Sequence, residues 1–153
     1  SDVYKRQEVE RYILRDNTVD GGALVILDLD DFKGINDRYG HAKGDEMLKT
    51  LTGVLKMTFR HEDLIGRLGG DEFLVFIKNV EVREILNRRM NELFAMIHSA
   101  SEIPLRCSVG ITFVSKSRFS YETSLEEADQ ALYESKRLGK DRYCYYRDIK
   151  KGE

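Results

Sequence analysis

The succession of apolar segments predicts an α/β layered domain with an antiparallel component, and three observations carry that prediction. An unbroken apolar run, Ala23-Leu-Val-Ile-Leu27, has the pattern of a central strand covered on both faces. Two more runs, one opened by Leu64-Ile65 and one spanning Phe73 to Ile77, flank Gly69-Gly70. That dipeptide supplies the positive φ angles of a tight hairpin turn. Around these runs lie long stretches with apolar residues at helical spacing. The order is helix, strand, helix, helix, two hairpin strands, helix, strand, helix, strand. It is close to a doubled ferredoxin-like arrangement, with a mostly antiparallel central sheet flanked by helices.

Each element has its own local reason. Tyr4 to Arg15 is predicted as a helix with Val9, Tyr12 and Ile13 on one face, broken by Asp20-Gly21-Gly22. The central strand follows and runs into Asp28-Leu-Asp-Asp-Phe-Lys33. One of Asp30 and Asp31 is expected to cap the next helix, Phe32 to Tyr39, while Asp28 is expected to point off the strand tip. Gly44-Asp45 is read as the start of a longer helix, with Asp45 as its cap and Met47, Leu48, Leu51, Val54, Leu55 and Phe59 at helical spacing. Glu81 to Ala100 is the clearest helix, with a stripe through Val82, Ile85, Leu86, Met90, Leu93, Phe94 and Ile97 read as core. Leu105 to Val114 reads as a strand and Leu125 to Leu138 as a helix closed by Gly139. Tyr143 to Tyr146 reads as a last strand, and Ser115 to Thr123 as the loosest link.

The totals exclude several functions. At 153 residues the chain is expected to be one domain, residues 1–153. With 25 basic against 27 acidic residues there is no positive field to draw in a nucleic-acid polymer, although a small anionic ligand needs only local charge. Cys107 and Cys144 lack metal-ligand spacing and suit a reducing cytosol, and His41, His61 and His98 are too scattered for zinc. No apolar run approaches a membrane span and there is no signal peptide, so no membrane contact and a cytoplasmic location are expected.

The chemistry gathers at two acidic sites. The hairpin turn shows Asp71 and Glu72 side by side, and a layout of this kind brings its tip to the end of the first strand, so that Asp28 and Asp71 converge. Close carboxylates repel, and all-oxygen ligands of this type suit Mg²⁺, which binds through one or two carboxylates plus substrate phosphates. Lys33 follows the first cluster, and Lys136 and Lys140 are read as sharing a face at the end of the last long helix. Helix-dipole compensation accounts for either of the last two lysines alone. No P-loop sequence is present.

Four ordered blocks carry a resemblance: Gly69-Gly-Asp-Glu-Phe73, Asp28 to Asp45, Ser108-Val-Gly-Ile111, and Ala128 to Lys140. Together they resemble the GGDEF family of diguanylate cyclases over nearly the whole chain. The resemblance implies a palm-like nucleotidyl-cyclase fold that condenses two GTP into cyclic di-GMP and two pyrophosphates as a homodimer, each subunit holding one GTP. It implies that Asp28, Asp71 and the Leu29 carbonyl hold Mg²⁺ or Mn²⁺, with Asp71, Glu72 and Lys33 catalytic. Asn36 and Asp45 would face the guanine, and Phe32, Lys33, Lys136 and Lys140 the phosphates, with Gly69 and Gly70 as the signature turn. Arg60-His-Glu-Asp63 resembles the family's inhibitory product site through Arg60 and Asp63.

The chain departs from that pattern in two places. Asp2-Val-Tyr-Lys-Arg-Gln7 matches only the tail of the usual opening segment, with Lys5 where Asn is usual, and Lys140-Asp141 replaces the more usual Arg-Asn. The chain is therefore read as a fragment whose N-terminal sensory or dimerising module is absent, cut inside that segment or begun with a cloning scar. The rival reading is a non-catalytic sensor that binds GTP or cyclic di-GMP; such modules commonly lose the signature acids, which this chain keeps. A purely structural domain would leave the convergence of two acids and three lysines without a reason.

Overall fold

The computed structural model describes residues 4–15 and 20–149. The elements are β1 (Tyr4–Lys5), α1 (Arg6–Arg15), β2 (Gly21–Leu29), α2 (Phe32–Tyr39), α3 (His41–Thr58), β3 (Leu64–Gly69), β4 (Glu72–Lys78), α4 (Arg83–Ser99), β5 (Cys107–Ser115), α5 (Tyr121–Arg137) and β6 (Arg142–Tyr145). The strands form one sheet in the order β1-β3-β4-β2-β5-β6. Pairing is antiparallel through the middle and parallel at both edges, β1 with β3 and β5 with β6. This is the predicted α/β architecture with its mostly antiparallel sheet.

β2 sits at the centre because it is apolar on both faces, and every one of its residues is buried. Alternate side chains feed two cores. Ala23, Val25, Leu27 and Leu29 meet α2, α3 and α4 through Ile35, Leu51, Leu55, Leu86, Met90 and Leu93. Leu24 and Ile26 face the other way, onto Val9 and Ile13 of α1 and Leu125, Ala128 and Leu132 of α5. Burial of this kind is worth about 25 cal/mol per Å² of apolar surface and fixes the strand's register, since a slip of one residue would exchange its faces. Among the described residues no helix is long and apolar enough to cross a membrane.

Several predicted boundaries move, each for a local reason. Tyr4 and Lys5 pair with Gly66 and Arg67 on the β3 edge, so the first helix starts at Arg6; residues 1–3 of the predicted opening segment lie outside the described residues. The central strand starts two residues earlier than expected, because Gly21 and Gly22 already pair with Ser115 and Val114 of β5. The long helix α3 begins at His41, which leaves Asp45 inside it and not at its cap. Val82 and Ile85 are exposed at the start of α4, so the core stripe runs only through Leu86, Met90, Leu93 and Ile97, with Phe94 half-buried. β5 starts two residues later than expected, at Cys107, and β6 one residue earlier, at Arg142. α5 gains a turn, because Ser120 accepts a hydrogen bond from the Thr123 N–H and caps it; a single 3₁₀ turn at Lys116–Arg118 occupies the link read as loose. α5 ends at Arg137, so Lys140 stands beyond the helix and not on its face.

Candidate active site

The site forms where β2 ends. Asp28 is the penultimate residue of β2, directly opposite Glu72 on β4 and Ser108 on β5. It therefore stays within the sheet and is buried, where a side chain projecting off the strand tip was expected. The Leu29 N–H donates to the Asp71 carbonyl at 3.3 Å and ties the strand end to the hairpin. Gly69 and Gly70 have φ of 149° and 50°, as the turn requires, and nothing lies within 4 Å of where their Cβ atoms would be. Arg67 closes this turn by donating to the Gly70 carbonyl, Nε at 3.1 Å, and its guanidinium lies 5.6 Å from the centre of the Phe73 ring.

Asp28 and Asp71 do converge. Burial, then a hydrogen bond with Asp28 and its charge, pushes the Asp71 carboxyl from 3.8 up to about 6. Burial also raises Glu72, followed by the charges of Asp129 and Asp28. One cation answers these acids: Lys136 Nζ donates to Asp28 Oδ2 at 2.5 Å. Burial pulls the Lys136 ammonium down, but its hydrogen bond to Asp28 and the charges of Asp28, Asp71 and Glu72 outweigh this and raise it. The other Asp28 oxygen, Oδ1, is buried with no hydrogen-bond partner among the described residues. A buried carboxylate oxygen left unpaired is costly, and a hard cation is the partner that such an oxygen lacks. Among the described residues no three His, Cys, Asp or Glu side chains are grouped to hold a metal by themselves, so an ion here would take carbonyl, water or phosphate oxygens as well.

The Asp71 shift makes a prediction with a defined sign. A carboxyl raised in the folded state binds a proton that the unfolded chain has already lost, so its contribution falls as pH rises from 3.8 to about 6. In the metal-free Asp28→Asn protein that fall should shrink, and the Asp71 carboxyl should titrate lower but still above 3.8, since its burial remains. Carboxyl ¹³C titration measures this directly. An Asp71 unmoved by the substitution would show that burial alone sets it.

Neither acid expected to cap α2 does so through its side chain. Asp31 precedes the helix in a left-handed conformation, φ 55°, without a side-chain cap hydrogen bond. Asp30 accepts instead from Ser108 Oγ at 2.6 Å and from the Asp141 N–H at 3.0 Å. The first backbone N–H groups of α2 therefore have no side-chain cap, although the Asp31 carboxylate lies close to Gly34 in the same turn. Phe32 and Lys33 stand in that turn; the Phe32 ring packs on the core, so only its backbone can serve a phosphate. Lys33 and Lys140 are exposed, with no side-chain ion pair among the described residues. Asn36 on α2 lies against Gly44 on α3, so closely that a Cβ at Gly44 would fall 1.8 Å from the Asn36 side-chain oxygen. That oxygen is buried and unpartnered, and the exposed Asp45 follows Gly44 directly.

Arg60 and Asp63 lie apart from all of this, at the opposite end of β3 from the turn. Asp63 Oδ2 accepts the Arg60 backbone N–H at 2.9 Å and faces Arg89 Nη1 at 3.6 Å. Burial raises the Asp63 carboxyl despite these partners. The Arg60 side chain is turned outward, 3.8 Å from Glu62. Arg89 was missed in the sequence, as were the bonds from Asp30 to Ser108 and Asp141. All of them join residues far apart along the chain, and no local pattern announces them.

A sheet end with acids from its central strand and from the adjoining hairpin tip defines a palm-like α/β domain. The chain belongs to the GGDEF diguanylate cyclase domain family: the family model described as "Diguanylate cyclase, GGDEF domain" matches residues 4–142. The chain is 41% identical over 130 residues to diguanylate cyclase DgcP of Pseudomonas aeruginosa, covering 80% of this chain and 19% of that protein. It is 33% identical over 144 residues to diguanylate cyclase DgcS of Shewanella oneidensis, covering 93% of this chain and 48% of that one. It thus spans less than half the length of these relatives. The active GGEEF domain of a diguanylate cyclase from Vibrio cholerae superposes with a TM-score of 0.79 at 25% identity, covering 97% of this chain and all of that one. The GGDEF domain of DgcB from Caulobacter crescentus, solved in complex with c-di-GMP, shares the fold with a TM-score of 0.84 at 23% identity, covering 97% of this chain and 94% of that one.

Proposed function

We propose that this domain is a diguanylate cyclase, joining two GTP into cyclic di-GMP with release of two pyrophosphates. The observation that carries the reading is the meeting of Asp28 and Asp71 around an unpartnered, buried carboxylate oxygen. Asp28, Asp71 and the Leu29 carbonyl would hold Mg²⁺ or Mn²⁺. When bound, such an ion neutralises phosphate charge and lowers the pKa of the attacking hydroxyl. The chain's own groups do the rest. Asn36 and Asp45 accept from the guanine N1–H and exocyclic amine, donors that adenine does not offer in that pattern. Lys33, Lys140 and the first N–H groups of α2 take the phosphates, and Lys136 balances the acids. Glu72 supports them from the facing strand.

In the reaction the 3′-oxygen of one GTP forms a bond to the α-phosphorus of the other as the bond to pyrophosphate breaks, twice for each product. One subunit holds one GTP, so two domains must face each other, and their alignment provides a point of control. The reading places the domain in the cytoplasm, where GTP is available, as the catalytic part of a longer protein.

The test is incubation of the purified domain with GTP and Mg²⁺ at high protein concentration, with cyclic di-GMP assayed by mass. Product supports the cyclase. If GTP binds without product, fusion to a dimerising coiled coil decides the matter, because a sensor stays silent and a cyclase is rescued.

Arg60 and Asp63 are proposed as the product's inhibitory site, with the outward Arg60 guanidinium gripping guanine or phosphate and the buried Asp63 holding the turn. Arg60→Ala should raise the cyclic di-GMP concentration needed for half-inhibition by about tenfold, the worth of one charged hydrogen bond. An inhibition curve that does not move would remove Arg60 from that role.

A further inference from the structure

We infer that Asp141, gripped by His98 and Arg106, is a positioning residue that fixes the turn presenting Lys140 to a nucleotide phosphate; the inference rests on the proposed phosphate role of Lys140. After α5 the chain turns through Gly139, Lys140 and Asp141 with φ of 121°, 65° and 51°. Glycine takes such angles freely. Residues with side chains take them less readily, although aspartate does so more often than lysine, and contacts from outside the turn favour the observed geometry.

The holding contacts come from several elements. Gly139 and Lys140 N–H donate back to the Lys136 and Ser135 carbonyls, at 3.2 and 2.9 Å. The Asp141 N–H donates to Asp30 Oδ2 at 3.0 Å, and Arg142 Nε donates to the Lys140 carbonyl at 2.9 Å. The Asp141 carboxylate is fixed on both oxygens: His98 Nε2–H from α4 donates to Oδ1 at 2.7 Å, and Arg106 Nη1, just before β5, lies 3.6 Å from Oδ2. The Asp30 N–H in turn donates to the Arg106 carbonyl at 2.8 Å. The end of β2, which carries Asp28 and the Leu29 carbonyl of the proposed metal site, is thereby tied to the phosphate-facing turn. The Lys140 side chain stays exposed, with no ion pair among the described residues.

The magnitudes separate positioning from stability. His98 and Arg106 side chains are 40% and 49% exposed, and exposed ion pairs add little to folding. The cost of losing them should appear at Lys140, through a turn free to relax to more common angles.

The experiment measures the affinity of the domain for GTP with Mg²⁺, and for guanosine, by calorimetry. Lys140→Ala should weaken GTP binding about tenfold, the loss of one charged phosphate contact. If it does not, the phosphate role fails and the inference falls with it. His98→Ala and Arg106→Gln should each weaken GTP binding about fivefold, leave guanosine binding and the unfolding midpoint unchanged, and add nothing in the Lys140→Ala background. His98→Gln, whose amide still donates, should recover most of the loss. Full additivity with Lys140→Ala, or an equal loss for guanosine, would overturn the positioning role while leaving that of Lys140 intact.

Discussion

Asp71→Ala is expected to lower cyclic di-GMP formation by about 10³-fold or more, the scale seen when a group aimed at developing charge is removed. The turn itself should survive, because its geometry rests on Gly69, Gly70 and the Arg67 bonds to the Gly70 carbonyl and not on the Asp71 side chain. Stability should hold or rise. The carboxyl is partly buried beside Asp28, and both burial and that neighbour oppose its charge at neutral pH. A substitution that removes activity while relieving strain in the fold marks a group kept for function. Product mass and a denaturant midpoint, measured on the same sample, report both sides. Activity within about tenfold of the parent would remove Asp71 from the chemistry. A fall in the midpoint would mean that Asp71 supports the fold instead.

The second large effect is on stability. Gly110 lies in β5, buried under α5, and a Cβ there would fall 2.1 Å from the Ala128 carbonyl oxygen and 2.3 Å from the Leu132 backbone nitrogen. Both are backbone atoms of a helix and cannot swing aside as a side-chain end can. Gly110→Ala should therefore cost about 3 kcal/mol, the upper part of the range for overpacking. For a domain of this size that lowers the melting temperature by about 6–12 °C. A midpoint shifted with an unchanged denaturant slope is the expected signature. Turnover should suffer too, because displacing α5 carries Lys136 away from Asp28. A loss below about 1 kcal/mol would show that α5 can lift without penalty.

Much of the molecule was legible because its determinants are local. Both-face burial marked β2, Gly69-Gly70 marked the hairpin, and apolar spacing marked α3, α4 and α5 to within a few residues. The convergence of Asp28 and Asp71 followed from that order alone. Capping was less legible. Asp45 has the composition of a helix cap yet lies a turn inside α3, and Asp30 hydrogen-bonds across the sheet instead of capping α2. A short polar side chain suits several jobs equally well, and tertiary neighbours choose among them.

By itself the sequence determined the order of elements, the central strand and the two acidic sites, since these depend on residue type and on spacings of a few residues. Only the tertiary structure decided that Lys136 pairs with Asp28 across 108 positions, that Arg89 faces Asp63, and that Asp141 is held by His98 and Arg106. Each of these is a charge held by a distant partner. Its position depends on where helix and strand ends come to rest once two cores have packed, which no short stretch of chain encodes.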